Sequence, residues 1–220
     1  KVWISDADQS KYLFALCKAD GAFVSLLIPR QTPGIHMTEM KKAGNNCMPT
    51  WHIKIENAFV PVEYQLGEVG SGLRNMLGTL RYSRASQAAT ATGCAEAALA
   101  LTCAHTTTRV QFGEPLSKLQ VVKHRLVEME IEITKARLMV RELASLLDAG
   151  AECTAMSSMT KIVASETLQM VTNHGMQLMA SAGYSTASHM QRYWRDARLF
   201  TFGEGSNEIQ KELIARTMGL

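Results

Sequence analysis

Glu204 stands between two glycines in Gly203-Glu204-Gly205-Ser206, a setting in which a carboxylate can act as a proton acceptor. Bare backbone on both sides lets a flat ligand approach it closely. Ser206 is a good N-cap type, and Ile209 and Leu213 follow at i, i+4 spacing, so a helix is expected from about Asn207. Glu204 then lies at that helix's N-terminus, where the dipole favours negative charge. On residue chemistry alone a solvated loop glutamate and a general base both fit, and the solvated loop residue is the commoner case.

Two arginines are the next groups able to do chemistry. Arg109 ends a long helical pattern, where a guanidinium can complement the helix dipole or chelate phosphate oxygens with its planar fork. Arg84 precedes it by 25 residues on the same pattern, roughly 37 Å at ~1.5 Å per residue, so the two cannot serve one phosphate. Taken by itself Arg84 reads as a solvated helix-face residue. Trp3 likewise reads as a core strand residue and Ser5 as a surface one. The six histidines show no metal spacing, and no G-x-S-x-G supports a serine hydrolase.

The elements that must carry these groups fall into two parts. Residues 1–64 read as β: the runs Tyr12–Cys17 and Ala22–Ile28 flank the turn Asp20-Gly21, and Trp51–Glu56 alternates like a half-buried strand. So few strands do not make a stable sheet unaided. The chain opens on Lys1 directly in strand-like sequence, so a longer protein is expected upstream. The glycines of Leu66–Leu73 resemble a phosphate loop only superficially, because no βαβ unit surrounds them. They read as a hinge, which makes residues 65–220 the second domain.

That domain is helical in pattern. The first helix is expected over about Leu73–Arg109. The second carries Val122, Leu126, Met129, Ile133, Ala136, Val140, Leu143 and Leu147 at alternating spacings of 4 and 3, a packing seam. The third runs from about Thr154 to Ala182, with Met159, Val163, Leu168, Val171 and Leu178 as expected core. A short basic helix (about His189–Arg198) and the helix after Ser206 follow. The fold expected is mainly α: a C-terminal four-helix bundle with one extra element, preceded by part of a β-barrel or sheet domain.

A net charge of +3, with basic residues spread among acidic ones, does not make a nucleic-acid face. No apolar run reaches a membrane-spanning length. Five cysteines, odd in number and without C-x-x-C, point to reduced thiols, as in a bacterial cytoplasm or a mitochondrial matrix.

Four motifs together resemble the acyl-CoA dehydrogenases, and the resemblance covers essentially the whole chain. Arg195-Asp196-Ala197 followed by Gly203-Glu204-Gly205-Ser206 and Ile209-Gln210 is similar to that family's R-D-A and Y-E-G-T-x-x-I-Q. Lys1-Val2-Trp3-Ile4-Ser5 is similar to its K-x-W-I-T/S segment. Arg109-Val110-Gln111-Phe112-Gly113 with Gln120 is similar to R-x-x-F-G-x-x-L-x-x-x-Q, and Gln177, Gly183 and Tyr184 fit x-Q-x-x-G-G-x-G-[YF].

The resemblance implies an FAD-dependent α,β-dehydrogenation of an acyl-CoA thioester, with Glu204 as the catalytic base and a hydride passing to flavin N5. It implies Trp3, Ser5, Arg109, Gln111, Phe112, Gln120, Gln177, Ser181, Ser206 and Glu208 as FAD contacts, several of them reaching a neighbouring subunit's cofactor. Arg84 and Gly205 are implied as acyl-CoA contacts. A homo-oligomer, dimer or tetramer, and an electron-transfer flavoprotein as acceptor are implied with them. An acyl-CoA oxidase or a non-catalytic partner subunit are the alternatives; a flavin monooxygenase of this fold usually lacks the glutamate.

The chain also departs from the pattern. Ser83 holds the place where some members carry their base on the first helix, which leaves Glu204 as the candidate. Ala180-Ser181 replaces Gly-Gly, Asn46 stands where Arg is common, and Arg81 where several members have Asp. Gly203 replaces the usual Tyr, from which a roomier pocket and a branched, cyclic or bulky acyl group are expected.

Overall fold

The computed structural model describes residues 1–220, and the chain divides into two compact units, residues 1–80 and 81–220. In the first unit, β1 (Ile4–Ser5), β2 (Tyr12–Ala19), β3 (Ala22–Pro29), β4 (Ile35–Glu39), β5 (Thr50–Ile55) and β6 (Gln65–Leu66) form two antiparallel sheets. Their orders are β1-β5-β4 and β2-β3-β6. The β2–β3 hairpin forms where expected. Ala19 pairs with Ala22 across Asp20-Gly21, whose φ values of 48° and 84° give the primed turn that matches strand twist. Ala7, Leu13, Ala15, Ile28 and Ile53 are buried together as this unit's core. Strand β4, Ile-His-Met-Thr-Glu, is an addition to the strands read from the sequence; its apolar alternation rests on only two residues, Ile35 and Met37.

The first helix, α1 (Gly72–Thr108), begins in this unit and continues into the second. Gly72 has to be glycine on grounds of space, since a Cβ there would lie 2.6 Å from the Val24 carbonyl carbon. A two-stranded hairpin follows, β7 (Val110–Gln111) and β8 (Glu114–Pro115). Then come α2 (Gln120–Asp148), α3 (Thr154–Tyr184), α4 (His189–Ala197), a 3₁₀ turn (Arg198–Thr201) and α5 (Asn207–Thr217). Three long helices and two short ones make the mainly α bundle that was expected.

Its core is built from three differently composed faces. From α1 come Ala88, Ala91, Ala95 and Ala98, small side chains at helical spacing that allow close approach of backbones, together with Leu99. From α2 come Met129, Ile133, Ala136 and Leu143, all fully buried, so the heptad seam is the packing face. Helix α3 buries Ser158, Lys161, Ser165, Leu168, Thr172, Gly175 and Met179, one stripe at alternating spacings of 3 and 4. Its C-terminal part is apolar, with Leu168 and Val171 buried as expected. Its N-terminal part is polar, which apolar periodicity could not disclose. Met159, expected in the core, is 38% exposed because the buried stripe runs through Ser158 and Lys161 instead.

Ile133 lies at the middle of this core with no exposed surface. Ile133→Ala is expected to lower unfolding free energy by about 2–5 kcal/mol, read from the urea midpoint at unchanged slope.

Candidate functional site

The loop between the 3₁₀ turn and α5 is tightly specified. Gly203 N–H donates to Leu199 C=O at 2.9 Å, closing the turn. Glu204 then adopts φ 55° and Gly205 φ 89°, two left-handed residues in succession. For a glutamate that conformation costs about 1–2 kcal/mol, so its surroundings must enforce it. Ser206 caps α5, its hydroxyl accepting from Ile209 N–H at 3.4 Å, and the helix starts at Asn207 as the sequence predicted. The exposed Glu208 carboxyl is held below its ordinary range by its own backbone N–H and then by the Ser206 hydroxyl.

Beneath the loop is a buried polar network that sequence reasoning did not find. Lys161 Nζ, on a residue only 1% exposed, donates to Gly205 C=O at 3.0 Å and to Asn207 Oδ1 at 2.8 Å. Gln210 Nε2 donates to the carbonyls of Glu204 (3.3 Å) and Gly205 (3.1 Å), while its Oε1 accepts from Ser158 at 3.0 Å. Asn207 Nδ2 donates to Ser165 Oγ and to Glu166 Oε1. Burial pushes the Lys161 ammonium down to about 8, with Arg84 pushing the same way, and Glu208, Glu204 and Glu166 opposing. The signal was present as the spacing Ser158, Lys161, Ser165 in register with Leu168. It was hidden because polar stripes usually face water.

Arg84, read from its residue type as a solvated helix-face arginine, is 5% exposed and its Nε has no partner. Burial lowers its pKa, and the field of Glu204 offsets part of that. One turn along α1, Gln87 Oε1 is also buried without a partner. The Gln87 amide fills the room expected beside Gly203: a Cβ on that glycine would meet Gln87 Nε2 at 2.7 Å. A side chain at position 203 would therefore have to displace the Gln87 amide.

A second group gathers where α1 ends. Arg109 and Gln111 line a cleft of about 460 Å³ with Leu116, Leu178, Met179 and Ser181. Gln177, Ala180, Ser181 and Tyr184 line an adjoining cleft of about 430 Å³. Ala180 separates the two at φ 49°, ψ −133°, a break inside α3 of a kind that glycine normally supplies. Ala180 thus adopts a glycine-type backbone without being glycine. Phe112 sits at φ 55° on the β7–β8 turn, 91% exposed, and Gln120 is exposed at the start of α2. In the first unit Trp3 is 58% exposed at φ 62°, not the core residue its type suggested, and Ser5 is exposed as expected.

A cation at the mouth of an apolar-walled cleft, with amide side chains and a broken helix, suits a ligand combining phosphate with flat rings. FAD is such a ligand, and the residues present fit it.

The same bundle and the same loop recur in a known family. The model for the acyl-CoA dehydrogenase C-terminal domain matches residues 70–219, and the chain belongs to the acyl-CoA dehydrogenase family. Glutaryl-CoA dehydrogenase of Desulfococcus multivorans is 33% identical over 98% of this chain and 57% of its own length. The mitochondrial short-chain specific acyl-CoA dehydrogenase of Rattus norvegicus is 31% identical over 98% of this chain and 54% of its own. Among solved structures, butyryl-CoA dehydrogenase from Megasphaera elsdenii superimposes with a TM-score of 0.95 at 31% identity, covering 100% of this chain and 59% of that one. A glutaryl-CoA dehydrogenase solved with glutaryl-CoA gives 0.96 at 31% identity, covering 100% and 57%. The chain thus spans little more than half the length of these relatives.

Lys161 makes stability depend on pH in a predictable direction. Its folded pKa lies below the ordinary 10.5, so the unfolded chain binds more protons between pH 8 and 10.5 and stability rises over that window. Relative to Lys161→Met, the wild type is expected to gain about 1–3 kcal/mol across it, at ~1.4 kcal/mol per unit, measured by urea unfolding at each pH.

Proposed function

We propose that the full-length protein is an FAD-dependent acyl-CoA dehydrogenase in which Glu204 is the general base. The observation that supports this most directly is Glu204 itself, an exposed carboxylate held in a left-handed conformation at the N-terminus of α5, over a buried polar network. Backbone strain of this kind persists where the surroundings over-determine it, and such sites are commonly functional.

In this reading an Oε of Glu204 takes the α-proton of an acyl-CoA thioester. The developing enolate oxygen needs donors, and the main-chain N–H of Glu204, in a left-handed conformation ahead of α5, is assigned that role. Substrate burial of the carboxylate strengthens the base. Arg84 and Gly205 are assigned to the acyl-CoA. Arg84, an inward-facing cation with an unpaired Nε, suits a polar part of the ligand.

FAD, when bound, supplies the hydride acceptor. Arg109, Gln111, Phe112, Gln120, Gln177 and Ser181 are the bundle residues assigned to holding it, with Ser206 and Glu208 at α5 and Trp3 and Ser5 on the β1 segment. The exposed Phe112 ring, without a packing partner in its own chain, supports contact with a second subunit, and we assign the working form as a homo-oligomer. Electron-transfer flavoprotein is the proposed acceptor. No helix is long and apolar enough to cross a membrane. The five free thiols, and bacterial and mitochondrial relatives, support a bacterial cytoplasm or a mitochondrial matrix as the site of action.

Mixing full-length, flavin-loaded protein anaerobically with a panel of acyl-CoAs should bleach the flavin's visible absorbance. Glu204→Gln should slow that bleaching by roughly 10³-fold or more. Flavin that bleaches equally fast in the variant would remove Glu204 from the mechanism, and rapid re-oxidation in air would reassign the enzyme as an oxidase. Arg109→Ala should weaken FAD retention by about 10- to 100-fold, the worth of a charge-assisted hydrogen bond, measured as flavin released on dilution.

A further inference from the structure

Lys161 is an expensive residue to bury. Its ammonium has lost its water, and its two hydrogen bonds go to a main-chain carbonyl and an amide oxygen, not to a carboxylate. A buried charge without an ion-pair partner costs folding free energy that an apolar side chain of similar volume would not. What that cost secures is local: the ammonium is bonded to the carbonyl of Gly205, immediately after Glu204, and to Asn207, the first residue of α5.

We propose that Lys161 is the positioning residue for Glu204, fixing the left-handed loop from beneath so that the carboxylate is held where it meets the substrate. This rests on the reading of Glu204 as the base.

Three features of the geometry support it. The loop is gripped on both carbonyls that follow a strained φ: Gln210 holds those of Glu204 and Gly205, and Lys161 supplies the charged, and therefore stronger, bond. The grip is itself braced. Ser158 fixes the Gln210 amide, and Asn207 is locked between Lys161, Ser165 and Glu166, so α3 determines both ends of the loop. Finally, a side chain at Gly205 would be strained by its φ of 89° and would press a Cβ to 2.7 Å from Gln210 Nε2, disturbing the grip. The charged groups coupled to Lys161 are Arg84 on α1, Glu166 on α3, Glu204 on the loop and Glu208 on α5.

The test uses full-length, flavin-loaded enzyme and four single variants: Lys161→Met, Lys161→Gln, Gln210→Leu and Glu204→Gln. Lys161→Met should lower the anaerobic flavin-reduction rate by roughly 100-fold, the cost of a displacement of about 1 Å, with acyl-CoA affinity essentially unchanged. Amide hydrogen exchange across residues 203–208 should quicken in the same variant. Lys161→Gln, which keeps N–H donors, should recover part of the rate and of the protection. Gln210→Leu cuts the other half of the grip and should slow reduction in the same sense if Lys161→Met does not fold. In a Glu204→Gln background, Lys161→Met should have no further effect on the residual rate.

A wild-type reduction rate in Lys161→Met overturns the proposal. So does a loss explained wholly by weaker acyl-CoA binding, or one with unchanged amide exchange. Glu204→Gln reducing its flavin at the wild-type rate would instead overturn the base assignment, whatever the lysine variants do.

Discussion

Desolvation of one ammonium organises the helical unit. Lys161 lies on the stripe of α3 that faces inward, and a charge in that position must find oxygen atoms. The available ones are the Gly205 carbonyl and the Asn207 side chain, so the chain has to return from the 3₁₀ turn in a conformation that presents both. Consecutive left-handed residues at 204 and 205 are that conformation. Helix α5 then starts where Ser206 can cap it, and the glutamate stays exposed above the network that holds its carbonyl. Packing, capping and the placement of the exposed Glu204 carboxylate are one solution to one electrostatic demand.

The two ends of the unit are handled differently. Around Glu204 the interior is polar and closely bonded, which favours precision over sheer stability. Around Arg109 and Ser181 the walls are apolar and the clefts lie open. The first arrangement suits a group that must keep one orientation during proton transfer. The second suits a large ligand held by shape, a few amides and one cation.

Much of this was legible from residues alone, and the limits are physical. The seam of α2 announced itself because apolar side chains at alternating 4 and 3 spacing have one common explanation. Asp20-Gly21 marked its hairpin for a similar reason: few residue pairs tolerate two positive φ values. Family motifs brought Glu204 and Arg109 forward where residue chemistry alone left them ambiguous. The burial of Lys161, Gln210 and Asn207 stayed hidden because polar residues at helical spacing normally face solvent, and only tertiary pairing reverses that expectation. Arg84 and Trp3 were misread in opposite directions. Residue type favoured exposure for the arginine and burial for the tryptophan, and the fold reverses both.

Ala180 shows how a backbone shape can stand on a residue type that seldom adopts it. Its φ of 49° and ψ of −133° fall in a region that glycine normally occupies, although neither Ala180 nor Ser181 is glycine. Holding an alanine there costs about 1–3 kcal/mol, a sum the surrounding bundle carries. What the bundle specifies at this point is a pair of torsion angles and not a residue type. The letters alone read as unbroken helix here, and the torsions break it.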